Sequence, residues 1–224
     1  NTTLLLRGKL EAPIVENRYA IRIDADFVWI EGEDPSDTSN LAWPAAVPMN
    51  APIVFSEPSS GTNDFVVLRH LVIDGGLDGI KLWDTRSSLI QGVTVYGAID
   101  NGIILYQGCE NVILRDVDVI STTGEFPNGN GLVIDYNTDD ITLDNVRAFG
   151  NAGDGIQVYA DHSVLRDCVS AHNTRNGFTF AGNSENEPDT LISTKISGLT
   201  STETAVPRST CTSSTTACSK GSPR

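Results

Sequence analysis

Basic side chains are scarce in this sequence of 224 residues, where 15 lysines and arginines stand against 29 aspartates and glutamates. The net charge of -14 repels phosphate backbones and the headgroups of anionic lipids. Long hydrophobic runs are missing as well, since no apolar stretch approaches the roughly 18 residues that a membrane-spanning helix needs. We therefore expect neither a nucleic-acid partner nor a membrane span.

Cysteine is also rare, with four residues and no CxxC arrangement of the kind that binds zinc or attaches haem. Cys211 and Cys218 enclose a short segment rich in serine and threonine, and we predict a local disulfide between them. Because disulfides persist in oxidising compartments, this pair predicts a secreted or cell-surface protein.

One hexapeptide is written five times with small changes. The copies are DGIKLW, NGIILY, NGLVID, DGIQVY and NGFTFA, which begin at residues 78, 101, 130, 154 and 176. Their glycines are 23, 29, 24 and 22 residues apart. A second alternating apolar stretch follows each of the first four copies after a short polar turn. Self-similarity at this period indicates a solenoid of stacked coils.

Apolar and polar residues alternate in these stretches with the period of two that strands require. The apolar positions, such as Ile156 and Val158, can stack inward from coil to coil and bury one continuous column. The Asp-Gly or Asn-Gly pair suits a sharp turn into the strand, because glycine accepts a positive φ. We predict an all-β solenoid of about seven rungs over residues 1–192. The Ser/Thr-rich segment that follows, residues 193–224, would be the last rung, a cap or a tail.

The other two cysteines have predictable places in such a stack. Cys168 takes the position of the inward Val117 and Val146 on earlier coils, so it should be a small buried core residue. Cys109 lies in a turn two coils earlier, beyond the reach of a disulfide. We expect both thiols to be unpaired.

Residues from roughly 20 to 200 resemble a right-handed parallel β-helix, and the residues that carry the resemblance are the core and turn positions of the repeat. This is the architecture of pectate lyases, polygalacturonases, alginate-modifying enzymes and phage tailspikes. The resemblance implies a protein that binds or modifies polysaccharide, although a fold alone does not assign a function.

The outward side chains of the first strand in each coil are the candidate binding residues. If Ile156 and Val158 point inward, Gln157 and Tyr159 point outward, and the same register applies on every coil. The resulting columns bring aromatic rings to several coils, where they can stack on sugar rings. The predicted substrate-binding residues are Trp83, Tyr106, Asp135, Tyr159 and Arg175.

The stretch VYADH at 158–162 resembles the Tyr and Asp-Pro-His motif of mannuronan epimerases and related alginate lyases. Tyr159, Asp161 and His162 match the motif, whereas its proline is missing and Asn176 stands where a second histidine belongs. Chemistry at a uronate needs a base, an acid and a cation near the carboxylate. The resemblance makes Tyr159, His162 and Lys81 the catalytic candidates, with Arg175 as an alternative cation.

Two functions stay open at this point. One is an extracellular module that binds carbohydrate or a protein partner through the outer strand face and assembles through its helix ends or its C-terminal tail. The other is a lyase or C5-epimerase of an acidic polysaccharide. We predict no particular metal site, although calcium would suit the many aspartates as a cofactor.

Overall fold

The computed structural model describes residues 2–6, 10–11, 19–32, 41–42, 52–124, 128–181 and 195–202. Within these ranges the chain forms strands and turns and contains no helix. No described segment therefore qualifies as a helix long and apolar enough to cross a membrane.

The described strands are between two and twelve residues long. They are β1 (Thr2–Leu6), β2 (Leu10–Glu11), β3 (Ile21–Ile23), β4 (Val28–Gly32), β5 (Leu41–Ala42), β6 (Val54–Ser56), β7 (Asn63–Asp64), β8 (Val67–Arg69), β9 (Val72–Asp74), β10 (Ile80–Leu82), β11 (Thr85–Tyr96), β12 (Asn101–Leu105), β13 (Glu110–Ile120), β14 (Asn130–Ile134), β15 (Thr142–Phe149), β16 (Ile156–Val158), β17 (Val164–Arg166), β18 (Val169–Ala171), β19 (Phe178–Phe180), β20 (Lys195–Ser197) and β21 (Thr200–Thr202).

These strands form two parallel sheets. Sheet B holds the first strand of each coil, in the order β19-β16-β14-β12-β10-β6-β3. Sheet A holds the remaining strands, and its main path is β1-β4-β8-β11-β13-β15-β17-β20. Because each coil passes from sheet B to sheet A and returns one strand further along, the chain is a parallel β-helix, as the repeat predicts.

The second apolar stretch of each coil is bent in its middle, which the sequence did not predict. The strand continues through the bend in β11, β13 and β15. On the coil before β11 it is divided into β8 and β9, which both pair with β11, and on the coil after β15 it is divided into β17 and β18. The bend residues are Gly92 with φ 61°, Asp116 with φ 52° and Asn145 with φ 55°. A left-handed residue on successive coils therefore gives each coil a third side.

The inward columns are the predicted ones. Ile80, Ile103, Leu132 and Ile156 pair in register along sheet B, and each is fully buried. Facing them, the side chains of sheet A complete one hydrophobic core. Burial of this continuous column supplies most of the driving force for the stack.

The glycine of the repeat has a different role from the predicted one. Gly79, Gly102 and Gly131 have no positive φ. A Cβ on Gly102 would lie 2.0 Å from Val119 Cγ1 and 2.7 Å from Gly131 O. Glycine is required because sheet B passes too close to sheet A for any side chain, and the prediction of a positive φ was wrong.

Side chains that precede the repeat glycine form a buried polar ladder. Asn101 Nδ2 donates to Asp78 Oδ1 at 3.2 Å, and Asn130 Nδ2 donates to Asn101 Oδ1 at 3.1 Å. The backbone N–H of Asp154 donates in turn to Asn130 Oδ1 at 2.9 Å. These bonds satisfy polar groups that would otherwise be costly to bury.

Cys109 and Cys168 are buried free thiols, so the prediction that they are unpaired is confirmed. In the segment from 193 onward, β20 pairs with β17 and β21 with β18, which continues sheet A. The predicted disulfide between Cys211 and Cys218 lies outside the described residues, and it stays a prediction.

Candidate functional site

The outer face of sheet B has the register that the repeat predicts. Backbone hydrogen bonds run from Trp83 N to Ser56 O, from Tyr106 N to Leu82 O and from Tyr159 N to Ile134 O. They align the predicted binding column on successive coils: Trp83, Tyr106, Asp135 and Tyr159.

In the neighbouring column, the alternation of the stretch PIVF at 52–55 predicts Val54 to point outward with Lys81. The structure corrects this register, because Phe55 pairs with Lys81 whereas Val54 pairs with the inward Ile80. Both Val54 and Phe55 are buried. The ring of Phe55 is covered in part by Tyr19, whose centroid lies 4.7 Å away.

Lys81 lies between two aromatic rings on this face. Its Nζ is 4.8 Å from the Tyr106 ring centroid and 5.9 Å from that of Trp83. The two rings meet edge to face, with centroids 5.0 Å apart and planes at 76°. A cation against two ring faces is favourable, and a half-buried amphipathic surface results, which we call the Lys81 cluster.

Two carboxyl groups, those of Asp78 and Asp100, lie near Lys81 and interact with it electrostatically. The sequence analysis did not predict either of them as a site residue. Burial and the neighbouring Asp100 raise the pKa of Asp78 from 3.8 to about 6. Burial likewise raises the pKa of Asp100, although Lys81 opposes the shift. Asp100 Oδ1 is buried and has no hydrogen-bond partner among the described residues. The signal in the sequence was the Asp of the hexapeptide, which we had interpreted only as a turn residue.

The insertion at 121–130, which widens the spacing of two repeat glycines to 29 residues, borders these carboxyl groups. Gly129 N donates to Asp100 O at 2.5 Å, and Thr123 N donates to Ala98 O at 2.9 Å. Val133, which points outward from sheet B, is only 6% exposed. Of the insertion, residues 125–127 lie outside the described part of the chain, and the rest packs beside Asp100.

Tyr159 occupies a separate place on the same face. Its ring stacks on Tyr136, with centroids 4.7 Å apart and planes at 13°. Burial, together with Tyr136, Asp154 and Asp135, raises the pKa of Tyr159 to about 12, whereas Arg175 lowers it. The hydroxyl is therefore protonated at neutral pH and can donate a hydrogen bond.

His162 lies at the corner where the chain enters sheet A, with φ 47°. Its Nδ1 lies 2.9 Å from Asp139 Oδ1, and this contact raises the pKa of the exposed imidazole. Asp139, Asp140 and His162 offer three possible metal ligands within 4.8 Å of one another. An imidazole with two carboxylates suits a transition metal better than calcium, which takes oxygen ligands.

The three catalytic candidates are thus held in three environments. Lys81 on β10 and Tyr159 beside β16 are three coils apart in sheet B, or about 14 Å at the usual strand spacing. His162 is bonded to the turn carboxylate of Asp139. Of the binding candidates, Trp83 and Tyr106 contact Lys81, whereas Asp135 and Arg175 act electrostatically on Tyr159.

The coils and their register define a class of protein, the parallel β-helices. The chain belongs to the right-handed β-helix family, whose model, described as "Right handed beta helix region", matches residues 78–210. No curated protein matches the sequence.

Several solved structures share the fold. The alginate lyase from Paenibacillus sp. str. FPU-7 is 16% identical with a TM-score of 0.65, over 89% of this chain and 66% of its own. Pectate lyase Pel9A is 13% identical with a TM-score of 0.64, over 81% of this chain and 48% of its own. A double mutant of the periplasmic alginate epimerase AlgG is 14% identical with a TM-score of 0.52, over 83% of this chain and 47% of its own. The chain thus spans about half to two thirds of the structures that it matches.

Proposed function

We propose that this protein is an extracellular or cell-surface β-helix that binds an acidic polysaccharide along the outer face of sheet B. The observation that carries the proposal is the Lys81 cluster, in which a lysine ammonium rests on the rings of Trp83 and Tyr106. The fold shared with an alginate lyase and a pectate lyase supports it.

The Lys81 cluster has the two properties that an acidic sugar requires. The aromatic rings offer apolar area to the C–H face of a sugar ring, and the ammonium offers a charge-assisted hydrogen bond to its carboxylate. A polymer lying along the sheet would pass Asp135 and Tyr159 on the next two coils. The protonated Tyr159 hydroxyl would donate to sugar oxygens there.

A polysaccharide lyase or C5-epimerase is the second candidate. The observation that favours it is the pair of carboxyl groups beside Lys81, one of which titrates at about pH 6, because proton transfer works best when the pKa of the group is near the working pH. In β-elimination a base takes the C5 proton, the C4–C5 double bond forms, the C4–O4 bond breaks and the leaving oxygen takes up a proton. Lys81 would neutralise the uronate carboxylate.

Affinity electrophoresis through gels that contain alginate or pectate tests the binding function. We expect the wild-type protein to be retarded and Trp83→Ala to lose most of the retardation. Tyr96→Ala, which removes an exposed aromatic ring from β11 of sheet A, is the matched control and should behave as wild type. Equal mobility of all three proteins in gels with and without polymer would reject the proposal.

Ultraviolet absorbance of unsaturated uronates, recorded with and without calcium, separates the enzyme from the binding module. A signal that disappears in Lys81→Ala and in Asp78→Asn, with retardation in the gel retained in Asp78→Asn, would assign a lyase to the Lys81 cluster and its carboxyl groups. The same assay on Tyr159→Phe and His162→Ala tests the two other catalytic candidates. Retardation without absorbance would reject the lyase, and ¹H NMR of the anomeric signals of the polymer would then separate a C5-epimerase, which changes them, from a binding module, which does not.

A further inference from the structure

A second aromatic surface lies on sheet A, beside β1 and β4. Phe27 and Phe65 stack there with ring centroids 4.8 Å apart and planes at 11°. They are 50% and 47% exposed, and Trp29 on the adjacent outward row is 38% exposed. This surface lies on a different sheet from the Lys81 cluster.

The two phenylalanines stand where the fold favours other residues. Phe27 has φ 56° and Phe65 has φ 61°, a conformation that is strained for bulky side chains. The equivalent position on the following coils, by the register of sheet A, holds Ser87, Asn111, Asp140 and His162. Because about half of each ring stays exposed, its burial offsets little of the energy of the strained backbone. The stability of the fold alone therefore does not explain why phenylalanine stands at these positions.

These rings and Trp29 border an open groove of about 260 Å³. Phe27 and Phe65 lie along one side of it, and the row of Thr3, Trp29 and Val67 lies along the other. The volume is just below the roughly 300 to 1,000 Å³ of drug-sized sites, so it suits one ring-sized group between aromatic walls.

Trp29 is held in place by polar neighbours. Its Nε1 donates to Glu31 Oε2 at 3.0 Å, and Glu31 Oε1 lies 3.1 Å from His70 Nδ1. A ring whose orientation is fixed before binding loses less entropy when a ligand arrives. The groove therefore has one preorganised aromatic wall with polar groups at its rim.

Arg69 supplies a positive charge at this rim. Its guanidinium carbon is 5.6 Å from the Trp29 ring centroid. Its Nε has no hydrogen-bond partner among the described residues. In contrast, Arg115, Arg147 and Arg166 on the same sheet each pair with an aspartate. In a chain of net charge -14, an arginine that has no ion pair among the described residues is complementary to an anion.

We infer that this groove is a second glycan site, in which a carboxylate-bearing sugar ring stacks between Phe65 and Trp29 and its carboxylate reaches Arg69. The aromatic walls match the C–H faces of the ring, and the guanidinium matches the carboxylate. The site does not depend on the Lys81 cluster. Together the two sites would hold a polymer, or two polymers, at two faces of one solenoid.

Indole N–H signals in a ¹H–¹⁵N NMR spectrum test the inference, because Trp29 and Trp83 report the two sites separately. Trp29→Phe and Trp83→Phe assign the signals. Titration with trigalacturonate should shift the Trp29 signal in a saturable way, and cellotriose, a neutral analogue, should bind about tenfold more weakly, as expected for one lost charged hydrogen bond. A Trp29 signal that does not move up to millimolar trigalacturonate overturns the inference, whatever the Trp83 signal does.

Two variants separate binding from folding. Phe65→Asn puts a residue that tolerates a left-handed conformation in place of the strained ring, so it should keep or raise the melting temperature yet abolish the Trp29 shift. Arg69→Gln should weaken binding of trigalacturonate about tenfold, whereas Arg115→Gln is the matched control and should not. Wild-type affinity in both Phe65→Asn and Arg69→Gln contradicts the site.

A second copy of this chain is the competing occupant of the groove. It would give a Trp29 signal that depends on protein concentration without sugar, and a dimer in sedimentation velocity that Phe65→Asn dissolves. That outcome would replace the glycan site by a self-association surface.

Discussion

Asp78 and Asn101 occupy the same position on successive coils, and Asn101 donates to Asp78 Oδ1 twice, from its side chain at 3.2 Å and from its backbone at 3.1 Å. Asp78 Oδ1 therefore accepts two hydrogen bonds that the side-chain carbonyl of an asparagine could also accept. On the next coil that carbonyl is present, since Asn101 Oδ1 accepts from Asn130. The aspartate differs only in its buried charge.

Replacing Asp78 by asparagine should stabilise the protein at neutral pH. The fold raises the pKa of Asp78 from 3.8 to about 6, so a protonated Asp78 favours the folded state. This contribution to the free energy of unfolding is complete below pH 3.8 and is lost as the pH rises through 6. The gain in Asp78→Asn is up to about 3 kcal/mol at pH 7. Urea unfolding at pH 4 and pH 7 measures it. An equal effect of the substitution at both pH values would contradict the buried charge.

Gly102→Ala should destabilise the solenoid strongly. The new Cβ would lie 2.0 Å from Val119 Cγ1, and overpacking of this kind costs about 1–3 kcal/mol or more. Val119→Ala removes the clashing methyl group, so the double variant should lose less than the sum of the single changes. Thermal unfolding of the three variants forms the cycle. Strict additivity would mean that the contact with Val119 is not what requires glycine.

Asn145 tests the bend in sheet A. Its φ of 55° suits asparagine and glycine but is strained for a β-branched residue. Asn145→Val should cost about 1–3 kcal/mol, including loss of the bond from Nδ2 to Asp116 Oδ1 at 2.8 Å. Asn145→Gly loses the same bond without the strain, and chemical denaturation of both variants separates the two effects. A valine variant as stable as the glycine variant would argue against the left-handed bend.

The imidazole of His162 should titrate at a higher pH than an ordinary histidine, since hydrogen bonding and charge from Asp139 raise its pKa. Asp139→Asn should lower the pKa of His162 toward its usual value, while Asp118→Asn at a remote position should leave it unchanged. A ¹H–¹⁵N NMR titration of the ring nitrogens measures both. Any stability that the pair brings is present below the ordinary histidine pKa and is lost as the pH rises through the higher value.

The candidate site was only partly predictable from the sequence. Register alone placed Trp83 and Tyr106 in one outward column, because side chains alternate in a strand and parallel coils stack in phase. Register could not predict that Asp100 lies near Lys81, because their proximity depends on the path of the chain between β11 and β12. It also gave no sign of the groove at Phe27 and Phe65, which stand outside the hexapeptide repeat.

What the sequence determined by itself is the coil. The hexapeptide recurs at intervals of 22 to 29 residues with apolar residues in alternation. Such a repeat buries its apolar positions by stacking its coils in parallel. Tertiary structure alone decided how closely the stacked sheets approach, and hence that Gly102 is needed for space. It also decided which outward side chains meet, because contacts such as those of Lys81 with Tyr106 and of Phe27 with Phe65 join residues that are one coil apart in space and more than twenty apart in the chain.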